Sequence, residues 1–319
     1  MISPRQAFAQ DDDRTQHPQR DFVGYGATPP RVAWPGGARL ALQVVLNYEE
    51  GSERSYPMGD SENEGFHEFP MVLSGQRDLD VESVYEYGSR AGVWRLFRIF
   101  DDAGIPVTCF ATAVALARNP SVAEKLVARD DEVASHGFRW LEHYELSQDV
   151  EREWIRRTVE ALTRSIGKRP VGWYCRQMSV HTRELLVEHG GFEYDSDAYN
   201  DDLPYWTNVA GHAHLVVPYT LTVNDAHFVL APTFANPDDF FEYGRRAIDR
   251  LCRDGDDISR MMSVGLHARI SGQPARADAV ARLLDYAAGR SDVWIARRVD
   301  IAREFARQVS PPQGTRRTA

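Results

Sequence analysis

Residues 41–53 read ALQVVLNYEEGSE, and this stretch decides how the rest of the chain is interpreted. Its first half is a run of aliphatic residues without polar alternation, which is typical of a strand buried on both faces of a parallel sheet. The run ends at Asn47-Tyr48, and Glu49 and Glu50 follow directly. Adjacent carboxylates raise the pKa of one member by repulsion, so the pair predicts a proton acceptor near neutral pH at the end of a core strand.

The composition is that of a soluble globular protein. The 319 residues are 43% hydrophobic and 26% charged, and the net charge is −10. This acidity argues against nucleic acid or an anionic membrane as a partner, because both require clustered Lys and Arg. The three cysteines are widely spaced without a CxxC motif, which indicates a reduced, cytoplasmic chain. We find no signal-peptide pattern and no apolar run long enough for a membrane span.

Polar, aperiodic sequence at both ends predicts flexible tails at 1–20 and 308–319, which leaves a single domain over 21–307. Helical patterns alternate with short β-rich runs in this domain, which predicts an α/β fold. No GxGxxG or GxxxxGK[ST] turn follows a strand, so we favour a barrel over a doubly wound nucleotide-binding sheet. The β-rich runs are 40–46, 107–112, 132–135, 171–175, 215–220, 263–266 and 293–297, and the clearest helices are 91–103, 148–166 and 236–255.

Polar side chains collect where the predicted strands end. His136, Arg176 and His267 each follow a β-rich run directly, as the two glutamates do. The carboxyl ends of parallel strands meet at one edge of a sheet, so we expect these side chains to lie together. Taken singly, each has a structural alternative, such as a core histidine or a buried ion pair. The irregular stretches 52–80 and 195–212 are interpreted as active-site loops.

Taken in order, these motifs resemble those of the polysaccharide deacetylase superfamily. The family's Thr-Phe-Asp-Asp, His-x-x-x-His, Arg-Pro-Pro-Tyr and Leu-x-His motifs look like Asn47-Tyr48-Glu49-Glu50, the stretch from His136, Trp173-Tyr174-Cys175-Arg176 and Leu266-His267. A closer similarity is to the branch of bacterial cofactor-independent allantoinases and cyclic imide hydrolases. The stretches that carry it are NYEEG, EYGSRAGVWRL (86–96), ASHGFRW (134–140), GWYCR (172–176), YDSDAYNDDLPYW (194–206) and MMSVGLH (261–267).

The resemblance implies a distorted (β/α) barrel of about seven strands. It also implies a hydrolase that opens a carbon–nitrogen amide bond in a small cyclic ureide or imide, and assembly into a homo-oligomer, specifically a homotetramer. In the metal-using members the first acid of the pair is the base and the second binds the metal, which correspond to Glu49 and Glu50. The alternatives are a metal-dependent N-deacetylase of an acetylated amino sugar and an inactive barrel that binds a small molecule.

The sequence departs from the metal-using members at one position, because Trp140 stands where the second histidine of His-x-x-x-His would be. The nearest substitute is His143, which lies about 10.5 Å from His136 along a regular helix, and so chelation by both would require a loop there. We therefore favour a site that requires no cofactor. The alternative is one divalent metal, Zn²⁺, held by Glu50, His136 and His143.

A ring-opening mechanism assigns a role to each candidate. Glu49 or His136 takes a proton from water as general base, Arg176 stabilises the oxyanion, and His267 protonates the leaving nitrogen. Trp140 is expected to stack on a flat ring, although core packing is an equal alternative for it. Asp197 would bind ureido N–H groups or orient a base. Further substrate contacts are expected from Asn200 and Trp206.

Overall fold

The aliphatic run before the paired carboxylates forms the central strand, β1 (Leu40–Tyr48), and all nine of its side chains are buried. The structure is a computed structural model that describes residues 20–69, 71–230, 233–254 and 258–317. Three strands pair in parallel with β1 and cover both of its edges. Because helices also cover one face and a buried interior lies at the other, apolar side chains are required along most of its length.

One mostly parallel sheet is built around β1. The other strands of the described residues are β2 (Thr108–Ala111), β3 (Glu132–Ser135), β4 (Gly172–Trp173), β5 (Tyr194–Asp195), β6 (Tyr205–Val209), β7 (His212–Val216), β8 (Val223–Asn224), β9 (Arg260–His267), β10 (Val293–Ile295) and β11 (Arg316–Arg317). Their order is β11-β7-β5-β4-β3-β2-β1-β9-β8, with β10 on β1 and β6 antiparallel to β7. The predicted α/β class is confirmed.

Helices alternate with the strands along the chain. They are α1 (Leu79–Tyr87), α2 (Val93–Asp102), α3 (Ala113–Arg118), α4 (Pro120–Ala128), α5 (Gln148–Ile166), α6 (Thr182–His189), α7 (Pro237–Arg253), α8 (Ala268–Ser271), α9 (Pro274–Ala288) and α10 (Arg298–Gln308). Apolar residues of α2, α4, α7 and α9 share the main core with Leu42, Val44 and Leu46 of β1. The other face of β1 points to a smaller cluster that contains Val45, so successive side chains alternate between the helices and the interior of the sheet.

The sheet is curved so that its two ends come close together, although hydrogen bonds between strands do not close it within the described residues. From β7 to β8 the strands form one hydrogen-bonded series, and within the described residues no ladder joins those two ends. The buried guanidinium of Arg298 nevertheless bonds Gln43 on β1, Ser263 on β9 and the carbonyls of Val217 and Pro218 after β7. The two ends of the sheet therefore approach each other around this one side chain.

The helix ends follow their predicted signals. α5 has the predicted bounds, and the Ser147 side chain caps it by accepting from the Val150 N–H. α7 begins with a capping box at Asn236 and proline at its first position. The helix predicted over 91–103 is α2, and a wide π-type turn at Gly88–Gly92 precedes it.

Some predicted boundaries are wrong. The stretch 195–212, interpreted as a loop, contains β6, and the strand predicted over 215–220 lies instead at His212–Val216. Segment 308–319, predicted as a tail, contributes β11, which pairs with β7. The predicted tail at 1–20 lies outside the described residues except for Arg20. No helix among the described residues is long and apolar enough to cross a membrane.

Candidate active site

Glu49 is the centre of a buried cluster at the carboxyl end of β1. It follows Gln43, Val45 and Asn47 with the period of two that places side chains on the inner face of the sheet. Its Oε1 lies 3.0 Å from His136 Nε2 and 3.6 Å from His267 Nε2. His136 follows β3 and His267 ends β9, so three strands deliver these groups, as the sequence predicts.

A fourth member of the cluster is Arg269, which the sequence analysis missed. Its Nη1 donates to Glu49 Oε2 at 2.9 Å, and the whole residue is only 2% exposed. The guanidinium lies against the rings of Tyr85, Trp140 and Phe66, at 4.3, 5.0 and 5.2 Å from their centroids. Its place in the sequence could have indicated this role, because Arg269 lies two residues after His267, just beyond the end of β9.

The two adjacent carboxylates have opposite pKa shifts. Burial alone would raise the pKa of Glu49, but His267, Arg269 and His136 outweigh it and hold the pKa far below its usual value. Burial raises the pKa of Glu50 despite the attraction of Arg269. A general base at Glu49 would require a raised pKa, but it is the pKa of Glu50 that is raised. Glu49 therefore stays ionised and is a poor proton acceptor.

The Glu50 side chain bonds to backbone N–H groups of the site. Its carboxylate accepts from the Glu49 N–H at 3.0 Å and from the Arg269 N–H at 3.2 Å. Gly88 makes this approach possible, because a Cβ there would lie 2.5 Å from Glu50 Oε1 and 2.8 Å from the Arg269 nitrogen. Glu50 thus ties the end of β1 to the start of α8.

His267 is oriented by Asp225, a second residue that the sequence analysis missed. The imidazole Nδ1–H donates to Asp225 Oδ1 at 2.6 Å, and the His267 backbone N–H donates to Oδ2 at 2.6 Å. This fixes Nε2 toward Glu49. Burial lowers the pKa of His267, but the charges of Asp225 and Glu49 outweigh it, so the pKa is raised and the imidazolium is favoured.

His136 has the opposite proton preference. Burial lowers the pKa of His136, and the hydrogen bond to Glu49 raises it by less, so the pKa remains below its usual value. The ring is therefore neutral at pH 7, and with Nε2–H donated to Glu49 the lone pair is on Nδ1. That atom is buried without a hydrogen-bond partner, and the ring packs on Tyr174 at 4.8 Å between centroids. A neutral and a protonated imidazole on one carboxylate can serve as base and acid.

Arg176 does not contact Glu49. Its Nη1 and Nη2 donate to Glu64 at 2.6 and 3.2 Å, and its Nε lies 3.0 Å from Glu142. Glu64 belongs to the predicted active-site loop 52–80. The guanidinium also lies 4.0 Å from the centroid of the Trp140 ring. The guanidinium predicted to stabilise the oxyanion is therefore held by two acidic side chains, Glu64 and Glu142, rather than by Glu49.

Trp140 lies inside the cluster rather than at its mouth. It is 6% exposed and packs against Phe66 and Tyr85 at 5.7 and 6.4 Å between centroids. Arg176 and Arg269 both lie within cation–π distance of the indole. The structure thus places Trp140 at the site, as part of the aromatic surround of Arg269.

The remaining predicted substrate contacts lie elsewhere. Asp197 accepts from the Cys175 N–H at 2.9 Å, and burial raises its pKa well above the usual value. The Trp206 indole N–H donates to the Val309 carbonyl at 2.8 Å, and the ring packs on a separate hydrophobic cluster that includes Leu215 and Phe305. Asn200 is exposed and bonds Tyr205. None of these contacts reaches Glu49, His136 or His267.

The candidate metal ligands also have separate partners. Glu50 is held by backbone N–H groups, His136 by Glu49, and His143 Nδ1 by Glu151 Oε1 at 3.0 Å. Among the residues that the structure describes, no group of three or more His, Cys, Asp or Glu side chains is arranged to hold a metal ion. The second ring nitrogens, His136 Nδ1 and His143 Nε2, are buried without a hydrogen-bond partner, whereas both oxygens of Glu50 accept from backbone N–H groups.

Comparisons with known proteins agree with the motifs. A polysaccharide deacetylase profile matches residues 76–189. A Schizosaccharomyces pombe protein called a putative polysaccharide deacetylase is 35% identical over 312 residues, which are 90% of this chain and 97% of that protein. The chain belongs to the polysaccharide deacetylase family. Its relatives are hydrolases of carbon–nitrogen bonds other than peptide bonds, and the chain is a hydrolase of this class.

Solved structures of the family extend the likeness. The crystal structure of a probable polysaccharide deacetylase from Pseudomonas aeruginosa PAO1 is 46% identical, with a TM-score of 0.88 over 91% of this chain and 98% of that one. The crystal structure of PuuE allantoinase is also 46% identical, with a TM-score of 0.87 over 90% of this chain and 97% of that one. The family and branch resemblance found in the motifs is confirmed.

Proposed function

We propose that this hydrolase opens a carbon–nitrogen bond in a small cyclic ureide or imide, with allantoin as the first substrate to test. The likeness to PuuE allantoinase over most of both chains supports this substrate class. The observation that carries the proposal is the pair of buried imidazoles with opposite proton preferences on one ionised carboxylate. Such a pair can accept a proton from water and return one to a leaving nitrogen.

The reaction follows from these proton positions. His136 Nδ1 takes a proton from water while the water oxygen attacks a ring carbonyl carbon, forming a tetrahedral carbon with two oxygens. The carbon–nitrogen bond then breaks, and His267 Nε2–H donates its proton to the departing nitrogen. Glu49 stays ionised throughout and stabilises whichever imidazole is protonated. The acyl product leaves as a carboxylic acid, which loses its proton to solvent, so the open chain carries a carboxylate and an N–H group. Proton exchange with solvent then returns His136 to the neutral form and His267 to the imidazolium.

We further propose that the enzyme needs no metal, forms a homotetramer and works in the cytoplasm. Trp140 in place of the second motif histidine and the backbone contacts of Glu50 support the first point. The resemblance supports the second, and the unpaired buried cysteines are consistent with the third. Elemental analysis of the purified protein and light scattering after size exclusion measure metal content and assembly directly.

An activity panel tests the proposal. The purified chain is incubated with allantoin, hydantoin, succinimide and an N-acetylglucosamine oligomer, each with and without a chelator. Ring opening that the chelator leaves unchanged supports the proposal. Acetate release that the chelator abolishes would instead indicate a metal-dependent deacetylase, the activity named for relatives such as a Helicobacter pylori peptidoglycan deacetylase, 28% identical over 44% of this chain and 48% of that protein.

A further inference from the structure

One edge of the Arg269 guanidinium is occupied and the other is not. Nη1 donates to Glu49 Oε2 at 2.9 Å and lies 3.7 Å from Glu50 Oε1. Nε and Nη2 are buried and have no hydrogen-bond partner among the described residues. Buried N–H groups are almost always paired, and a charged donor without a partner is especially costly. The missing partner is therefore a group that is not part of this chain.

The geometry of that edge defines the missing partner. The Nε and Nη2 donors of a guanidinium point in parallel and match the two oxygens of a carboxylate. The chain uses the same edge elsewhere, since Arg183 donates from Nε and Nη2 to Asp195 at 2.7 and 3.1 Å. Arg303 does so to Glu193 at 2.7 and 2.6 Å. The free edge of Arg269 fits a planar group with two oxygens.

The surroundings hold this edge in a fixed orientation. Glu49 fixes Nη1, and the Tyr85 ring lies 4.3 Å from the guanidinium, so the side chain cannot rotate freely. Both imidazoles lie on the other oxygen of the same carboxylate. The guanidinium thus connects its free edge, through Nη1, to the carboxylate that carries both imidazoles.

We propose that Arg269, through Nε and Nη2, binds the carboxylate of the ring-opened product. The inference rests on the proposed ring opening and names the substrate contact of that site. Both oxygens come from the reaction itself, one from the ring carbonyl and one from water. Arg269, rather than Arg176, is then the guanidinium that holds the product carboxylate, because Nη1 and Nη2 of Arg176 already donate to Glu64.

Product binding tests the inference without relying on turnover. N-carbamoylglycine and succinamate, the ring-opened forms of hydantoin and succinimide, are titrated calorimetrically into wild type and Arg269→Lys. Lysine keeps the charge but loses the parallel donors, so we expect binding to weaken by about tenfold or more. Arg303→Lys is the matched control, since Arg303 also donates from Nε and Nη2 to one carboxylate, Glu193, but on the surface. Its product affinity should equal that of wild type.

Three results would overturn the inference: product affinity unchanged in Arg269→Lys, an equal loss in Arg303→Lys, or no binding of either compound by wild type. Turnover of the parent rings is measured on the same wild-type preparation and reports on the proposed function alone. Turnover with unchanged product affinity in Arg269→Lys removes only the role of Arg269. Product binding that needs Arg269 without turnover removes only the proposed ring opening.

A crystal of the wild-type protein with succinamate provides a measurement that does not depend on how a variant folds. We expect both carboxylate oxygens within about 3 Å of Nε and Nη2 of Arg269. A carboxylate seated on Arg176, or elsewhere on the protein, would contradict the inference.

Discussion

At the scale of single residues, the site depends on one carboxylate that keeps its charge. Glu49 is 1% exposed and has three cationic or imidazole partners. An isolated carboxylate in that position would take up a proton. The partners prevent this, and in return the negative charge sets the proton preference of both imidazoles.

Replacing Glu49 with Gln should therefore lower kcat by about a hundredfold or more, because the neutral amide no longer stabilises a protonated imidazole. Steady-state kinetics on the ring that wild type opens measures the loss, and circular dichroism checks the fold. Glu86→Gln is the control, since Glu86 is an exposed partner of Arg90 and should behave as wild type. Turnover close to wild type in Glu49→Gln would exclude Glu49 from the chemistry.

The pH profile should report the two imidazoles. His136 has a pKa below 6.5 and must be neutral, so activity rises with pH on the acid side. His267 has a pKa above 6.5 and must be protonated, so activity falls on the alkaline side. Asp225→Asn removes a negative charge that raises the pKa of His267, and the alkaline limb should move to lower pH. A limb that stays in place would show that His267 is not the acid.

At the scale of elements, close contact between two helices positions Arg269. A Cβ on Gly92 would lie 2.1 Å from the Ala268 carbonyl oxygen, so the turn before α2 packs on the backbone of α8. α8 begins directly after His267 and carries Arg269. Any side chain at position 92 would push α8, and with it Arg269, away from Glu49.

Gly92→Ala should lower the free energy of unfolding by about 1–3 kcal/mol and reduce turnover more than the loss of folded protein explains. Urea denaturation and kinetics on the folded fraction separate the two effects. Gly289→Ala is the matched control, because its nearest contact would be 3.3 Å, which requires a shift of only a few tenths of an ångström, and it lies beyond the end of α9. Equal effects in both variants would show that the Gly92 contact does not position the site.

Elements with strong local signals could be predicted, and those fixed by distant contacts could not. α5 has a serine cap, a regular apolar stripe and a glycine in the left-handed region at its end, and its bounds were predicted without error. β4, β5 and β8 contain two residues each, too few for any periodicity. Asp225 sits in a short turn with no motif, and only the fold brings it to His267.

At the scale of the whole molecule, one buried arginine joins the two ends of the curved sheet. Arg298 begins α10 and reaches across the interior to β1, β9 and the chain after β7. The burial of Arg298 could not be predicted from the sequence, because a basic residue at the start of a helix is more often on the surface. The curvature of the sheet was therefore predicted from the family resemblance, and the side chain that holds it was not.

Arg298→Met should destabilise the fold by about 3–5 kcal/mol, because the carbonyls of Val217 and Pro218 and the Gln43 amide oxygen lose their buried donor. The midpoint of urea unfolding measures this change. The exposed Arg246→Met, on the surface of α7, should shift the midpoint only slightly. A small effect of Arg298→Met would show that the sheet keeps its curvature without this side chain.

The burial of the cluster has a kinetic consequence. Glu49, His136 and His267 are 1%, 2% and 6% exposed, and the Phe66 ring lies 5.6 Å from His267. A substrate reaches these groups only when Phe66 and its neighbours move away from them. The rate of that movement is therefore an upper limit on the turnover rate. Raising the solvent viscosity with sucrose should then lower kcat for the substrates that turn over fastest and leave kcat for the slowest substrates unchanged.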